Sequence, residues 1–208
     1  MKLYHVDFTP SSRKVRMFLH EKGLELPMED VADGFQWTDW YKAHYPHMLV
    51  PMLELDDGTQ IGEAMAICRY FETLHPEPPL MGGNAKERAV IEMWERRSHW
   101  EGTGAVEDIF RNSHPLMVDR GLPGTSEPVP QIPALVERGI GRLRRFFNKF
   151  DTQLADNRFV AGNHFSVADI STLCTIDYGR WCQLDVPADC KHVRRWYAEV
   201  SSRSSATA

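Results

Sequence analysis

The chain is poor in cysteine and has no excess of positive charge, and each shortage removes a class of function. Only Cys68, Cys174, Cys182 and Cys190 occur in 208 residues, and no two of them have the C-x-x-C spacing of a redox centre or a zinc knuckle. They read as reduced, mostly buried thiols; no metal is expected, and a cytoplasmic address goes with them. With 24 basic against 29 acidic side chains, the formal charge is −5. Nucleic acid and anionic lipid both call for concentrated positive charge, so neither is the expected partner. No apolar run approaches the ~18 residues of a membrane span. A strand-like segment begins at Lys2, so no leader peptide is expected. No internal repeat is present, and low complexity is confined to the Ser-rich end, Ser201 to Ala208, which reads as frayed.

What the chain does have is periodicity, and the period changes along it. Lys2 to Val6 alternates like a strand; Val15, Phe18, Leu19 and Lys22 then recur at helical spacing up to a stop at Gly23. Residues 24–31 suit a second strand, and Phe35 to His47 has no clear period. Met52 to Leu55 and Thr59 to Ile61 flank Asp56-Asp57-Gly58, a hairpin signal. Residues 63–75 are helical again. The order βαβ then ββα predicts a small mixed sheet covered by helices.

Prolines 76, 78 and 79 and glycines 82 and 83 then crowd together, which sets a linker at 77–85 between domains 1–76 and 86–208. The second domain reads as all helix and loop. One long helix is expected over Lys86 to Asn112, a proline-rich loop over Pro115 to Pro133, and helices near 134–155, 167–181 and 188–201. Ser166-Val167-Ala168-Asp169 has the form of a capping box, with Phe165 and Ile170 placed as a hydrophobic staple. Asp169 is therefore read as structural.

The ordered set Val50-Pro51-Met52-Leu53, Asp57-Gly58, Ile61, Glu63-Ala64, Ala66-Ile67 and Tyr70 resembles the N-terminal signature of the cytosolic glutathione transferases. Thr9-Pro10-Ser11-Ser12-Arg13-Lys14-Val15-Arg16 resembles the first helix of the same family, and the capping box resembles its helical-domain hallmark. The stretch from Ala66 to Leu80 is most similar to a large, poorly characterised bacterial group. The resemblance, which covers residues 1 to about 203, implies a thioredoxin-like α/β domain that binds glutathione, followed by an all-α domain that holds a small hydrophobic electrophile. It also implies a homodimer.

Carried onto this chain, the resemblance implies that Val50, before Pro51, pairs with the cysteinyl backbone of glutathione by strand addition. The amides at Glu63 and Ala64, where a helix begins, would receive the γ-glutamyl carboxylate. Ser12 and Leu49 complete the implied glutathione-binding group. Two positions depart from the family: Ala64 stands where Ser is usual, and Leu49 where Lys or Gln is usual, leaving His47 or Lys42 to supply polarity.

A cysteine-type thiol titrates near 8.5, and lowering it by two units takes roughly 2.7 kcal/mol. Thr9 aligns with the catalytic Ser or Cys of many classes, and Ser11 with the catalytic Asn of one bacterial class; either is the expected thiol-activating residue. A plain helix start, with Thr9 as N-cap and Pro10 first, explains the same residues without chemistry. The absence of cysteine at 9–12 disfavours glutaredoxin-like chemistry, and a missing Ser-rich signature disfavours maleylacetoacetate isomerisation. Phe8, Trp100, Phe110, His114 and Tyr178 are the expected walls of the second-substrate pocket, with Trp94, Met117 and Trp181 as further candidates. His99 and His114 are possible acid–base groups. The alternatives are a glutathione-dependent lyase or peroxidase, or a non-catalytic glutathione or ligand binder.

Overall fold

The structure, a computed structural model, describes residues 1–31 and 34–208. A four-stranded sheet has β1 (Lys2–His5) parallel to β2 (Met28–Asp30) on one side and antiparallel to β3 (Met52–Glu54) on the other, with β4 (Gln60–Gly62) antiparallel at the edge. Alternation sorts its side chains. Leu3 and Leu53, directly paired, face a core with Val15 and Phe18 of α1 (Pro10–Glu21) and Ile67, Cys68 and Phe71 of α3 (Ala64–Leu74). Tyr4 and Met52, the next pair, face the other way, onto Tyr41 of α2 (Asp39–His44) and Tyr45.

The helical half comprises α4 (Ala85–Arg97), α5 (Gly104–Ser113), α6 (Pro133–Ala155), α7 (Val167–Arg180) and α8 (Lys191–Ser201). α7 is buried along nearly its whole length. Its start is the expected capping box: Asp169 accepts from the Ser166 amide (3.0 Å), the Val160 amide (2.9 Å) and Trp196 Nε1 (2.8 Å). The fold is thus a small mixed sheet with covering helices followed by an all-helical domain.

Several expectations are corrected. The second strand is only three residues long, because Pro27 has no amide to donate and pairing starts after it. Phe35 to His47 holds a short 3₁₀ turn, Phe35–Trp37, and then α2. The single long helix expected over Lys86 to Asn112 is interrupted by a π-helical segment, Ser98–Thr103. Here α4 and α5 pack on α6 and α7 so closely that a Cβ at Gly102 would lie 2.8 Å from both Phe146 and Thr175 side chains. The Ser-rich end is not frayed: Arg203 bridges Glu21 (2.7 Å), Ser205 is fully buried, and Arg13 donates to the Ala206 carbonyl (2.7 Å).

Candidate functional site

The register of the sheet brings three chain segments to one end of it. Tyr4 of β1 pairs with Met52, and Met52 pairs with Gly62. The antiparallel arrangement therefore sets the exit of β1, leading to α1, beside the entry to β3 at Val50-Pro51 and the exit of β4 at Glu63. Helices α1 and α3 both start at this edge, and their first amides have no carbonyl to bond.

At the α1 start, Thr9 occupies the N-cap position but its hydroxyl makes no capping bond. Thr9 Oγ1 lies 3.0 Å from the Val6 carbonyl and 2.8 Å from Ser12 Oγ, and Ser12 Oγ accepts from the Val6 amide at 3.2 Å. Both hydroxyls are taken up in closing the β1–α1 corner. Ser12 is completely buried. Ser11 is half-buried and its hydroxyl has no partner among the described residues.

The Val50-Pro51 peptide is cis. Val50 is half-buried, and neither its amide nor its carbonyl has a backbone partner among the described residues. Just before it, the Leu49 carbonyl accepts from the fully buried Tyr41 hydroxyl at 2.8 Å, which holds this loop onto α2. Glu63 has φ +64°, a conformation unfavourable for a residue with a side chain and one that clusters at functional sites. It sets the Ala64 and Met65 amides at the open end of α3, and Ala64 itself is buried.

Facing this edge from the helical half is a wall of rings. Phe8 stands 5.7 Å from Trp181; Trp181 is 5.7 Å from Phe110 and 5.5 Å from Tyr178; Phe110 is 4.8 Å from His114. Four of the five expected pocket residues therefore meet, and Phe8 and Trp181 still expose 63% and 40% of their surface. Trp100 does not join them. The π-helical segment turns it outward, where it is 60% exposed, lies beneath Arg96, and lines a separate depression of about 190 Å³ with Arg142 and Lys149. Trp94 is core, edge-on to Phe150 at 5.3 Å. His114 turns its Nδ1 to the Leu116 amide and so caps the turn after α5.

The pocket is not purely apolar. Tyr178 is 6% exposed, and its hydroxyl has no hydrogen-bond partner among the described residues; burial holds its proton on, with the Glu107 charge adding to the effect. Burial likewise raises the Glu107 carboxyl above its ordinary range; Arg111 opposes the shift, and Asp108 and Glu63 add to it. Burial, aided by Lys14, lowers the titration of His99. The sequence reading passed over Glu107, although it lies three residues before Phe110 and seven before His114. An acid on the same helical face as two expected pocket residues was the available signal.

A second feature missed from sequence is the loop after α5. Arg120 sits over the Trp37 ring at 4.3 Å, and a Cβ at Gly124 would lie 3.1 Å from the His47 carbonyl oxygen. The loop thus reaches the segment that leads to Val50. No periodicity encodes such a contact.

Comparison with known proteins covers both halves. The family model of the glutathione S-transferase N-terminal domain matches residues 3–79, and that of the C-terminal domain matches residues 115–204. Glutathione S-transferase 2 of Saccharomyces cerevisiae is 31% identical, with the match covering 99% of this chain and 87% of that protein. A glutathione S-transferase domain-containing protein of Marinobacter aquaeolei superposes with a TM-score of 0.90 at 31% identity, over 99% of each chain. A glutathione S-transferase of Vibrio parahaemolyticus gives 0.82 at 32% identity, over 99% of this chain and 94% of that one.

Proposed function

This chain belongs to the glutathione S-transferase family, and from that premise we propose that it is a glutathione transferase in which bound glutathione thiolate attacks a small hydrophobic electrophile. The observation that supports this reading is the meeting, at one end of the sheet, of an unpaired Val50 backbone, two open helix N-termini and an aromatic wall. Val50 offers the amide and carbonyl that an extended tripeptide needs for strand addition. The α3 terminus offers unbonded amides and partial positive charge to the γ-glutamyl carboxylate. Ala64 withholds the hydroxyl that would add a hydrogen bond there, so the amides and Glu63 carry that contact.

Ser11 is the thiol-contacting residue in this proposal, because Thr9 and Ser12 already spend their hydroxyls on Val6. A hydroxyl donor and the α1 terminus together lower the thiol by the required amount. The same thiolate serves ether or peroxide cleavage with a different acceptor. The proposal includes a cytoplasmic homodimer, for which sedimentation equilibrium is the check.

The test is conjugation of glutathione to 1-chloro-2,4-dinitrobenzene, followed by absorbance, with glutathione binding measured separately by calorimetry. Binding and turnover together are expected. The tied hydroxyls and the substitutions at Leu49 and Ala64 favour a second reading, a non-catalytic binder; tight binding without turnover on several electrophiles would select it.

A further inference from the structure

We infer that Arg16 and His5 form a proton-sensitive clamp on the corner between β1 and α1, and that this clamp positions Phe8 against the electrophile. The inference rests on the transferase reading above and adds two positioning residues to it. Phe8 needs such a hold. Its ring is 63% exposed and meets one other ring among the described residues, Trp181 at 5.7 Å, so side-chain packing does not fix it. The backbone on either side of it does. On one side of the corner, Thr9 and Ser12 close onto Val6. On the other, Arg16 Nη2 donates at 2.6 Å to the Asp7 carbonyl, the oxygen of the Asp7–Phe8 peptide itself, and lies 3.3 Å from the Asp7 carboxylate.

The same guanidinium reaches the sheet. Arg16 Nη1 donates to His5 Nδ1 at 3.1 Å, and Nη2 also reaches the Ala208 carbonyl at 3.4 Å. Both partners of the clamp are withdrawn from water: the Arg16 side chain is 11% exposed and His5 is 8% exposed. His5 ends β1, one residue beyond the Tyr4–Met52 pair, on the side where Val50-Pro51 leads into β3. One nearly buried cation therefore ties the end of β1 to the peptide that carries Phe8.

A guanidinium can only donate, so the contact exists only while His5 Nδ1 keeps its lone pair. A proton from solvent on Nδ1 turns the acceptor into a donor and sets two cations side by side where little water screens them. The charged groups facing His5 are Arg16 on α1, Asp7 in the corner and Asp30 at the end of β2. Burial and then Arg16 lower its titration, against Asp30 and Asp7, so the change falls below the ordinary value near 6.5. Repelled from His5, Arg16 gives up its place at the Asp7–Phe8 peptide, and the Phe8 ring loses its alignment with Trp181. Acid thus loosens the hold on the electrophile without touching the sulfur.

The test uses the full chain, as wild type and as His5→Asn, whose Oδ1 offers an acceptor where Nδ1 stands but takes up no proton. Two quantities are followed from pH 7.5 to 5: the Trp181 indole N–H resonance of the free protein, and the KM for 1-chloro-2,4-dinitrobenzene at saturating glutathione. In the wild type the resonance should move with one midpoint below about 6.5. The KM should rise about 3- to 10-fold over the same range, the worth of one net hydrogen bond. Both should stay flat in His5→Asn, and Arg16→Gln should show the raised KM at every pH. The 240 nm thiolate absorbance of bound glutathione should titrate alike in all three, which a general loss of structure would not allow. A wild-type resonance that does not move would overturn the clamp without any variant. So would an acid rise in KM that persists unchanged in His5→Asn. If the wild type neither binds nor conjugates glutathione, the transferase reading falls; the resonance, read without glutathione, still decides whether the clamp holds Phe8.

Discussion

Single side chains decide what the cleft can do, and three of them give measurable outcomes. Ser11→Ala removes a donor to a charged sulfur, an interaction of about 1.5–3 kcal/mol, so kcat/KM should fall by roughly 10- to 10²-fold with stability nearly unchanged. Thr9→Ala opens the corner made with Val6 and Ser12 and should instead cost about 1 kcal/mol of stability. Steady-state kinetics beside urea unfolding of the two variants separates the roles; a larger kinetic loss in Thr9→Ala would reverse them. His5 supplies a pH dependence. It is buried, Arg16 donates to its Nδ1 at 3.1 Å, and burial followed by the Arg16 charge lowers its titration. The unfolded chain then binds the proton more readily than the folded one, so stability is full above the unfolded value near 6.5 and is lost as pH falls below it. Unfolding free energies at pH 7.5 and 5.5 should show that loss, with a shallower slope in His5→Gln.

At the scale of elements, close approach is the governing fact. A Cβ at Gly62 would lie 1.7 Å from the Tyr45 hydroxyl, so β4 and the loop before Val50 fit only around a glycine. Gly62→Ala should displace Tyr45, cost about 1–3 kcal/mol as overpacking does, and raise the KM for glutathione. Thermal unfolding and kinetics together check this, and an unchanged KM would uncouple Tyr45 from the Val50 loop. The α7 start is the other critical junction. Asp169 gathers the Ser166 and Val160 amides and the Trp196 indole. Asp169→Ala strands all three donors in the core, at about 1–3 kcal/mol each if none relaxes, which is enough to threaten folding of the helical half. Soluble yield and circular dichroism are the measurements, and a variant within 1 kcal/mol of wild type, to an order of magnitude, would contradict the network's role.

Over the whole molecule, the two halves are joined by more than apolar packing. Lys14 of α1 bridges Glu95 of α4 at 3.1 Å, both nearly inaccessible, and Ser171 of α7 donates to the same carboxylate oxygen at 3.1 Å. Breaking one side of a buried pair leaves an uncompensated charge, so Glu95→Ala should cost about 3–5 kcal/mol. Replacing both by apolar residues of similar length, Lys14→Met with Glu95→Met, should recover most of that, because the desolvation cost disappears with the pair. Chemical denaturation of the single and double variants gives the coupling; additive losses would show that the pair is not acting as a unit. The C-terminal turn adds a second tie, with Arg203 on Glu21 and Ala206 on Arg13.

The local signals were legible in the chain. Strand alternation at Lys2 to Val6, the hairpin around Asp57-Gly58 and the capping box at Ser166 and Asp169 each depend on neighbours within a few residues, and each is present as read. The ordered motif from Val50 to Tyr70 led to the family by resemblance. Contacts between distant segments decided the rest. Which first-turn hydroxyl stays free depends on Val6, and the outward turn of Trp100 depends on a break in helical period at Ser98–Thr103. The docking of the Ser-rich end depends on Glu21, and the meeting of Phe8 with Trp181 on the packing of the two halves. Periodicity describes which face of an element is apolar, whereas a cleft is made of the groups that several elements leave unpaired where they converge.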